Sequence, residues 1–389
     1  MRTRLDPQDP LALSSLLDAD DLLTIQTVRR FVHEHVEPNI DRWYEHAEFP
    51  RHLVKPLGEL GVLGMHLQGY GCAGASARMY GLACRELEAG DSALRSFVSV
   101  QGSLAMFAIW KFGSDEQRLR WLPAMAQGDA VGCFGLTEPD AGSDPSGMRT
   151  SARRKGSDWV LDGTKLWITN GSIADVAIVW ARTEEGIRGF VVPTGTPGFE
   201  AIEIRRKLSL RASVTAELVL RDCVLPADAV LPEVRGLRGP LSCLDEARFG
   251  IAWGALGAAR SCFEAALRYA GEREQFGRPI AGFQLTQSKL VEMAVELGKG
   301  ELLAWQLAQL KDNGNLSPEH VSIGKLSNVR QALAIARSAR SILGANGISL
   351  ELPVMRHMTN LESVATYEGT EEIHTLAIGA ALTGQPAFR

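Results

Sequence analysis

At 389 residues the chain is too long for one compact core and fits two or three structural units. Its 45% hydrophobic and 22% charged content suits a globular protein with a large buried core. The net charge of −5 leaves no basic field for a nucleic-acid backbone or an anionic membrane surface, so neither partner is expected.

The elements follow in chain order. Hydrophobic periodicity predicts helices at Asp20 to Val36, Ala77 to Ala89, Leu94 to Phe112 and Ser114 to Ala126, the last opened by a Ser114/Gln117 capping box. From Ala130 to about Val230 the period changes to short runs rich in Val, Ile, Thr and Trp between turn signals such as Asp162-Gly163 and Glu185-Gly186, which predicts a small antiparallel sandwich or barrel. Long helices return at Leu241 to Arg273, Gln284 to Lys311 and Pro318 to Leu343, the last after an N-cap Ser317, and together they predict a bundle. The expected class is α+β, with a helical domain at 1–129, a β domain at 130–236 and a helical bundle at 237–389.

Several patterns narrow the chemistry. Gly69-Tyr70-Gly71-Cys72-Ala73-Gly74 spells a dinucleotide motif without the strand and βαβ unit that give it meaning, so a loop of close turns is expected. The six cysteines never form Cys-x-x-Cys and read as buried thiols; His33 and His35, two apart on a helix, point to different faces, and no metal is expected. Gly250 to Ala259, the longest uncharged run of the C-terminal half, falls far short of the roughly 20 residues of a membrane span and reads as core helix. Met1 to Arg4 hold two arginines followed by Asp6 and Asp9, unlike a signal or transit peptide, so a cytoplasmic location is expected.

Thr366-Tyr367-Glu368-Gly369-Thr370 sets a carboxylate between an aromatic ring and a glycine, where it can be desolvated while the backbone approaches a ligand. Glu368 is thereby a candidate general base, although the same tripeptide occurs at ordinary helix-to-loop corners. In the β region, Phe134 to Asp144 and Leu166 to Asn170 place hydroxyls and free amides at strand ends, the second beside Trp167; a planar heteroaromatic cofactor needs such an edge and face. As local structure alone, the first is a strand followed by an Asx and Gly turn. Arg95 stands in an otherwise small and apolar helix among Leu94, Phe97 and Val98 and should meet an anion, either a ligand or Glu88.

Leu136-Thr137-Glu138-Pro139 through Asp144, Trp167-Ile168-Thr169-Asn170, Arg273-Glu274-Gln275-Phe276-Gly277 with Phe283-Gln284, Leu343-Gly344-Ala345-Asn346-Gly347 and the Glu368 loop resemble, in order and along essentially the whole chain, the acyl-CoA dehydrogenase family. Glu86 to Gln101, Gly236 to Pro240, Ala247 to Gly254 and Asn360 to Glu362 are most similar to its glutaryl-CoA dehydrogenase branch. The resemblance implies a homotetramer with FAD between subunits, an acyl-CoA thioester substrate and an electron-transferring flavoprotein as acceptor. It implies a reaction in which Glu368 removes the α-proton, a β-hydride leaves to the flavin and, for glutaryl-CoA, CO₂ is lost.

Carried over by position, the resemblance gives the flavin to Phe134, Leu136, Thr137, Gly142 and Ser143, to Trp167, Ile168 and Thr169, and to Arg273, Phe276, Gln284, Leu343, Gly344, Thr370 and Glu372. It gives the substrate to Glu88, Arg95, Ser96, Ser99, Ser143, Arg248, Tyr367 and Gly369, with Arg95 on a distal carboxylate. The alternative for Arg273 read by itself is a solvated helix end. The chain departs from the branch in three places: Glu371-Glu372 after Thr370, Gly102 beside the expected acyl pocket, and Asp245-Glu246, whose charge would repel a second substrate carboxylate. The open alternatives are a dehydrogenase of another short acyl thioester, free or carrier-bound, and an inactive flavin-binding scaffold.

Overall fold

Asp18 and Asp21 exchange side-chain and backbone bonds to start the first helix, Ser114 and Gln117 do the same for a later one, and Ser76 caps another by accepting the Met79 N–H. The computed structural model describes residues 5–6 and 9–388; Met1 to Arg4, on which the reading of the chain's start rests, lie outside them. The helical layer runs α1 (Ala19–Phe31), α2 (Ile40–His46), α3 (Val54–Glu59), α4 (Ala77–Gly90), α5 (Ser92–Ser99), α6 (Phe107–Phe112) and α7 (Asp115–Ala126). Two of the expected helices are interrupted: α1 continues into a π turn at Val32–Val36, and α5 and α6 are joined by a π stretch at Val100–Met106. The 92–112 segment is long and apolar enough to cross a membrane by length and composition, and its most apolar 18-residue window is buried inside the fold. The Gly69 to Gly74 motif is a loop in which Gly69, Tyr70, Gly71 and Gly74 all have positive φ.

The sheet comprises β1 (Gly132–Gly135), β2 (Ser151–Lys155), β3 (Asp158–Thr169), β4 (Val176–Thr183), β5 (Gly186–Pro193), β6 (Phe199–Glu203) and β7 (Thr215–Leu225), in the order β1-β4-β2-β3-β7-β6 with β5 on β4. Its ladders are mostly antiparallel, but β1 and β2 both run parallel to β4, because the chain enters at β1 and makes the β2–β3 hairpin before β4 comes back alongside. A register shift in β3 between Lys165 and Ile168 turns Trp167 outward at φ 62°.

The C-terminal helices are α8 (Arg238–Glu272), α9 (Gln284–Asp312), α10 (Pro318–Leu343), α11 (Pro353–Thr366) and α12 (Glu371–Thr383), with a short hairpin, β8 (Glu274–Gln275) and β9 (Arg278–Pro279), after α8. α8 is the central pillar, packed on α4 and α10. Its approach to α4 is set by Gly257, where a Cβ would lie 1.9 Å from the Arg85 carbonyl oxygen. One apolar core joins the two helical layers, a second packs the 100–126 helices and the start of α8 against the sheet, and a third fills the sheet's other side. Asp91, fully buried at the α4–α5 corner, accepts from Arg356 Nη1 at 2.6 Å and Asn360 Nδ2 at 3.0 Å, both on α11. Asn360 Oδ1 in turn accepts the Leu210 N–H of the β6–β7 loop at 2.8 Å. Buried polar groups thereby link all three layers.

Candidate active site

α11 ends at Thr366 and α12 begins at Glu371, so the Glu368 loop is the four-residue corner between them. Thr370 accepts the Ile373 N–H at 3.4 Å as the α12 N-cap. Glu368 occupies the left-handed region at φ 54° and Gly369 follows at φ 102°, a corner that turns the carboxylate inward. Glu368 is half-buried, and its Oε2 is sealed from solvent with no hydrogen-bond partner among the described residues. Burial pushes its carboxyl above the usual range, against the opposing pull of Arg95, Lys325 and Arg248.

Arg248 Nε donates to the Glu368 carbonyl oxygen at 2.7 Å, and its Nη1 donates to Asp245 at 2.9 Å. Lys325 Nζ donates to the carbonyl oxygens of Tyr367 and, at 2.6 Å, of Gly369. On the other side of the Tyr367 ring lies Arg95, whose Nη2 donates to the phenol oxygen and whose Nε donates to Glu88 Oε2 at 2.5 Å. Ser92 satisfies the other Glu88 oxygen at 2.8 Å. Ser96 and Ser99 are buried on the Arg95 helix, with Ser99 Oγ unpartnered among the described residues. Glu88, Arg95, Arg248, Tyr367, Glu368 and Gly369 are therefore brought together. Arg95 meets the internal carboxylate as well as the Tyr367 phenol, and neither bond uses Nη1.

One expectation about the departures is corrected. Asp245 and Glu246 supply no free negative charge: Asp245 pairs with Arg248, and Glu246 pairs with Lys311 at 2.7 Å and lies 3.8 Å from His66 Nε2. At Gly102 a Cβ would lie 2.8 Å from the Gly64 backbone nitrogen, so a serine there would need the Gly64 backbone to shift. The signal that sequence reading missed is Lys325. It is a cation on the buried face of α10 between Val321 and Asn328, the same pattern that singles out Arg95 on α5.

The expected cofactor residues fall into separate groups. At the sheet rim, buried Glu138 accepts from the Arg149 and Thr150 amides and from Lys165 Nζ at 2.8 Å; Lys165 also reaches the Leu136 carbonyl at 3.0 Å. Burial lowers the Lys165 ammonium to about 8 against the Glu138 bond that raises it. This knot fixes the strand end after Phe134 and Leu136, and the Leu166 N–H donating to the Thr137 carbonyl at 2.9 Å brings that end beside Trp167. Phe134, Leu136 and Ile168 are core side chains, so they shape the rim from below. Thr137 and Thr169 are half-buried, Gly142 and Ser143 are exposed, and Trp167 is 58% exposed. Arg273, Phe276 and Gln284 are exposed around the β8–β9 hairpin, as are Gly344 and Glu372, while Leu343 is buried. Among the described residues Arg273 has no ion pair, and the hairpin packs on α8 rather than on the strands that carry the sheet rim.

Comparisons with known proteins accord with this layout. Three family models match consecutive segments: the acyl-CoA dehydrogenase N-terminal domain at residues 18–129, the middle domain at 133–223 and the C-terminal domain at 234–383. The chain is 38% identical over 367 residues to the mitochondrial short-chain specific acyl-CoA dehydrogenase of Homo sapiens, covering 92% of this chain and 89% of that protein. A crystal structure of glutaryl-CoA dehydrogenase from Mycobacterium smegmatis is 64% identical with a TM-score of 0.98, covering 99% of this chain and all of that one. A second structure of a glutaryl-CoA dehydrogenase from that organism, in complex with FADH2, is 61% identical with a TM-score of 0.98 and full coverage of both chains. With its three-layer fold, its buried cation-ringed carboxylate and these matches, the chain belongs to the acyl-CoA dehydrogenase family.

Proposed function

We propose that this FAD-dependent acyl-CoA dehydrogenase acts on glutaryl-CoA, converting it to crotonyl-CoA and CO₂, with Glu368 as the base and Arg95 as the anchor of the distal carboxylate. The observation that carries the reading is the wholly buried Arg95, which touches Tyr367 at one end of the Glu368 corner and keeps Nη1 out of both its internal bonds. A guanidinium matches a carboxylate by its planar fork, and burial strengthens the pairing. Glu368 would take the α-proton, and its raised affinity for protons suits that task. The Glu368 backbone N–H would polarise the thioester carbonyl and stabilise the enolate. Tyr367 and Ser99 would position the acid end and the returning proton.

FAD, when bound, supplies the two-electron acceptor for the β-hydride. The residues present fit it: Trp167 offers a free aromatic face at a bulge, Thr169 lies two residues on, and the half-buried Thr137 is fixed beside both. Arg273 and Gln284, with Gly344, would hold the phosphates and adenine of a flavin bound mainly by a neighbouring subunit of a homotetramer. In support of this, these residues are exposed and Phe276 is 94% exposed. An electron-transferring flavoprotein is the proposed acceptor, as the family resemblance implies.

A second reading is favoured by the Glu88 counter-ion, which already compensates Arg95: a dehydrogenase of another short acyl thioester, in which the pair is structural. The deciding experiment is anaerobic bleaching of the yellow protein by a panel of acyl-CoAs with CO₂ measured in parallel. Bleaching by glutaryl-CoA with stoichiometric CO₂ is expected; preference for butyryl-CoA without CO₂ supports the second reading. Glu368→Gln, which keeps the shape and removes the proton acceptor, is expected to slow flavin reduction about 10²- to 10⁴-fold with FAD retained.

A further inference from the structure

Three consecutive carbonyl oxygens at the Glu368 corner are held by two cations from different helices. Lys325 of α10 takes those of Tyr367 and Gly369, and Arg248 of α8 takes that of Glu368 between them. Lys325 is 1% exposed and, among the described residues, has no carboxylate within ion-pair distance. Burying an ammonium for two carbonyl bonds is costly where an apolar side chain of the same length would pack as well. A long donor that reaches both carbonyls, however, fixes the residue between them. That residue is Glu368, a non-glycine side chain in the left-handed region.

We propose that Lys325 is a positioning residue for the base: it clamps the Tyr367–Gly369 corner in its left-handed turn and, through its charge, keeps the Glu368 carboxyl able to ionise in a site closed to water. This rests on the reading of Glu368 as the base. Burial pushes Glu368 up and Lys325 down to about 7, while the opposite charge of each favours the charged form of the other. The other groups facing the pair are Arg95 on α5, Arg248 on α8, the Tyr367 phenol, and Glu371 and His374 on α12. Burial lowers His374 to about 3, so its ring stays neutral through the working range and does not substitute for Lys325. The Tyr367 phenol is pushed well above its usual range by burial and stays protonated.

The test is an infrared titration of the FAD-loaded protein that follows the carboxylic acid C=O band abolished by Glu368→Gln. In Lys325→Met the half-point of that band is expected to rise by about one to three pH units, as for removal of an opposite charge a few ångströms away. Flavin reduction at neutral pH is expected to fall at least about tenfold in that variant. Lys325→Arg, which keeps the charge, is expected to recover most of the half-point. Should Met fail to yield FAD-loaded protein, Lys325→Gln decides by the same shift. An unchanged half-point in the neutral variant, with Glu368→Gln inactive, overturns the role of Lys325 alone. A Glu368→Gln protein that reduces flavin at the wild-type rate overturns the base reading itself.

Discussion

Glu88 Oε2 and Arg95 Nε meet at 2.5 Å with neither side chain more than 1% exposed, so the guanidinium proposed to bind substrate already carries a counter-ion. An incoming carboxylate would add one negative charge to a neutral pair, and its binding would depend on the remaining face of the guanidinium. Arg95→Met is expected to reduce the kcat/KM for glutaryl-CoA by about 2 to 5 kcal/mol more than that for butyryl-CoA, the cost of a lost buried charge pair. Measuring both substrates with and without Glu88→Gln, which removes the stranded carboxylate, separates anchoring from stability. Equal losses on both substrates would leave a structural ion pair and a general short-chain dehydrogenase.

The same pair is framed by α8. A Cβ on Gly254 would lie 2.0 Å from Glu88 Oε2 and 3.0 Å from Arg95 Nε. Gly254→Ala is therefore expected to displace the Glu88 carboxylate and to destabilise the protein by about 1 to 3 kcal/mol through overpacking. Thermal melting and the glutaryl to butyryl preference should move together; a variant that melts and discriminates like wild type would show that the pair has room to shift.

Acid stability should depend on Glu86. Burial alone would push its carboxyl up, but Arg260 at 2.7 Å and the charges of Arg85 and Arg29 hold it far below the usual range. A depressed folded-state value means that this stabilisation is complete above the unfolded-state value of about 4 and is lost as pH falls through the folded one. Glu86→Gln is expected to lower stability at pH 7 by about 3 to 5 kcal/mol, since Arg260 is left buried without its partner, and to flatten the decline of stability below about pH 4. Urea titrations at stepped pH read both effects.

The exposed hairpin group gives a test of the assembly. Arg273→Ala is expected to release FAD and lower the melting temperature together, because a ligand bound only by the native state stabilises it by mass action. Added FAD should restore the melting point in proportion to its concentration. A monomer with full flavin content would contradict a site shared between subunits.

Long periodic helices were legible: α9, α10 and the capping signals at Ser114 and Ser317 stand where the pattern places them. α2 and α3 were not, because they are short and set among Pro38, Pro50 and Pro56. α11 escaped because its inward face carries His357 and Asn360 beside Val354, Leu361 and Val364, so hydrophobicity alone under-reports a helix whose buried face is partly polar, with Asn360 bonded across the fold to Asp91 and the Leu210 amide. At the site, Glu368 and Arg95 stood out by local contrast. The compensation of Asp245 and Glu246 could not, because it depends on Arg248 one turn away and on Lys311 in a different helix.

The chain from Asp91 through Asn360 to the Leu210 amide changes how the three matched segments can be inherited. Each reads as a separate module, yet a middle segment grafted from a distant homologue would have to present an amide to Asn360, and a new α11 would have to refill both bonds to Asp91. Otherwise a buried carboxylate or amide is stranded, at about 1 to 3 kcal/mol for each neutral group. Recombination at the segment boundaries should therefore yield folded chimeras chiefly when α11 travels with the 207–213 loop, and the chain should unfold as one unit rather than as three.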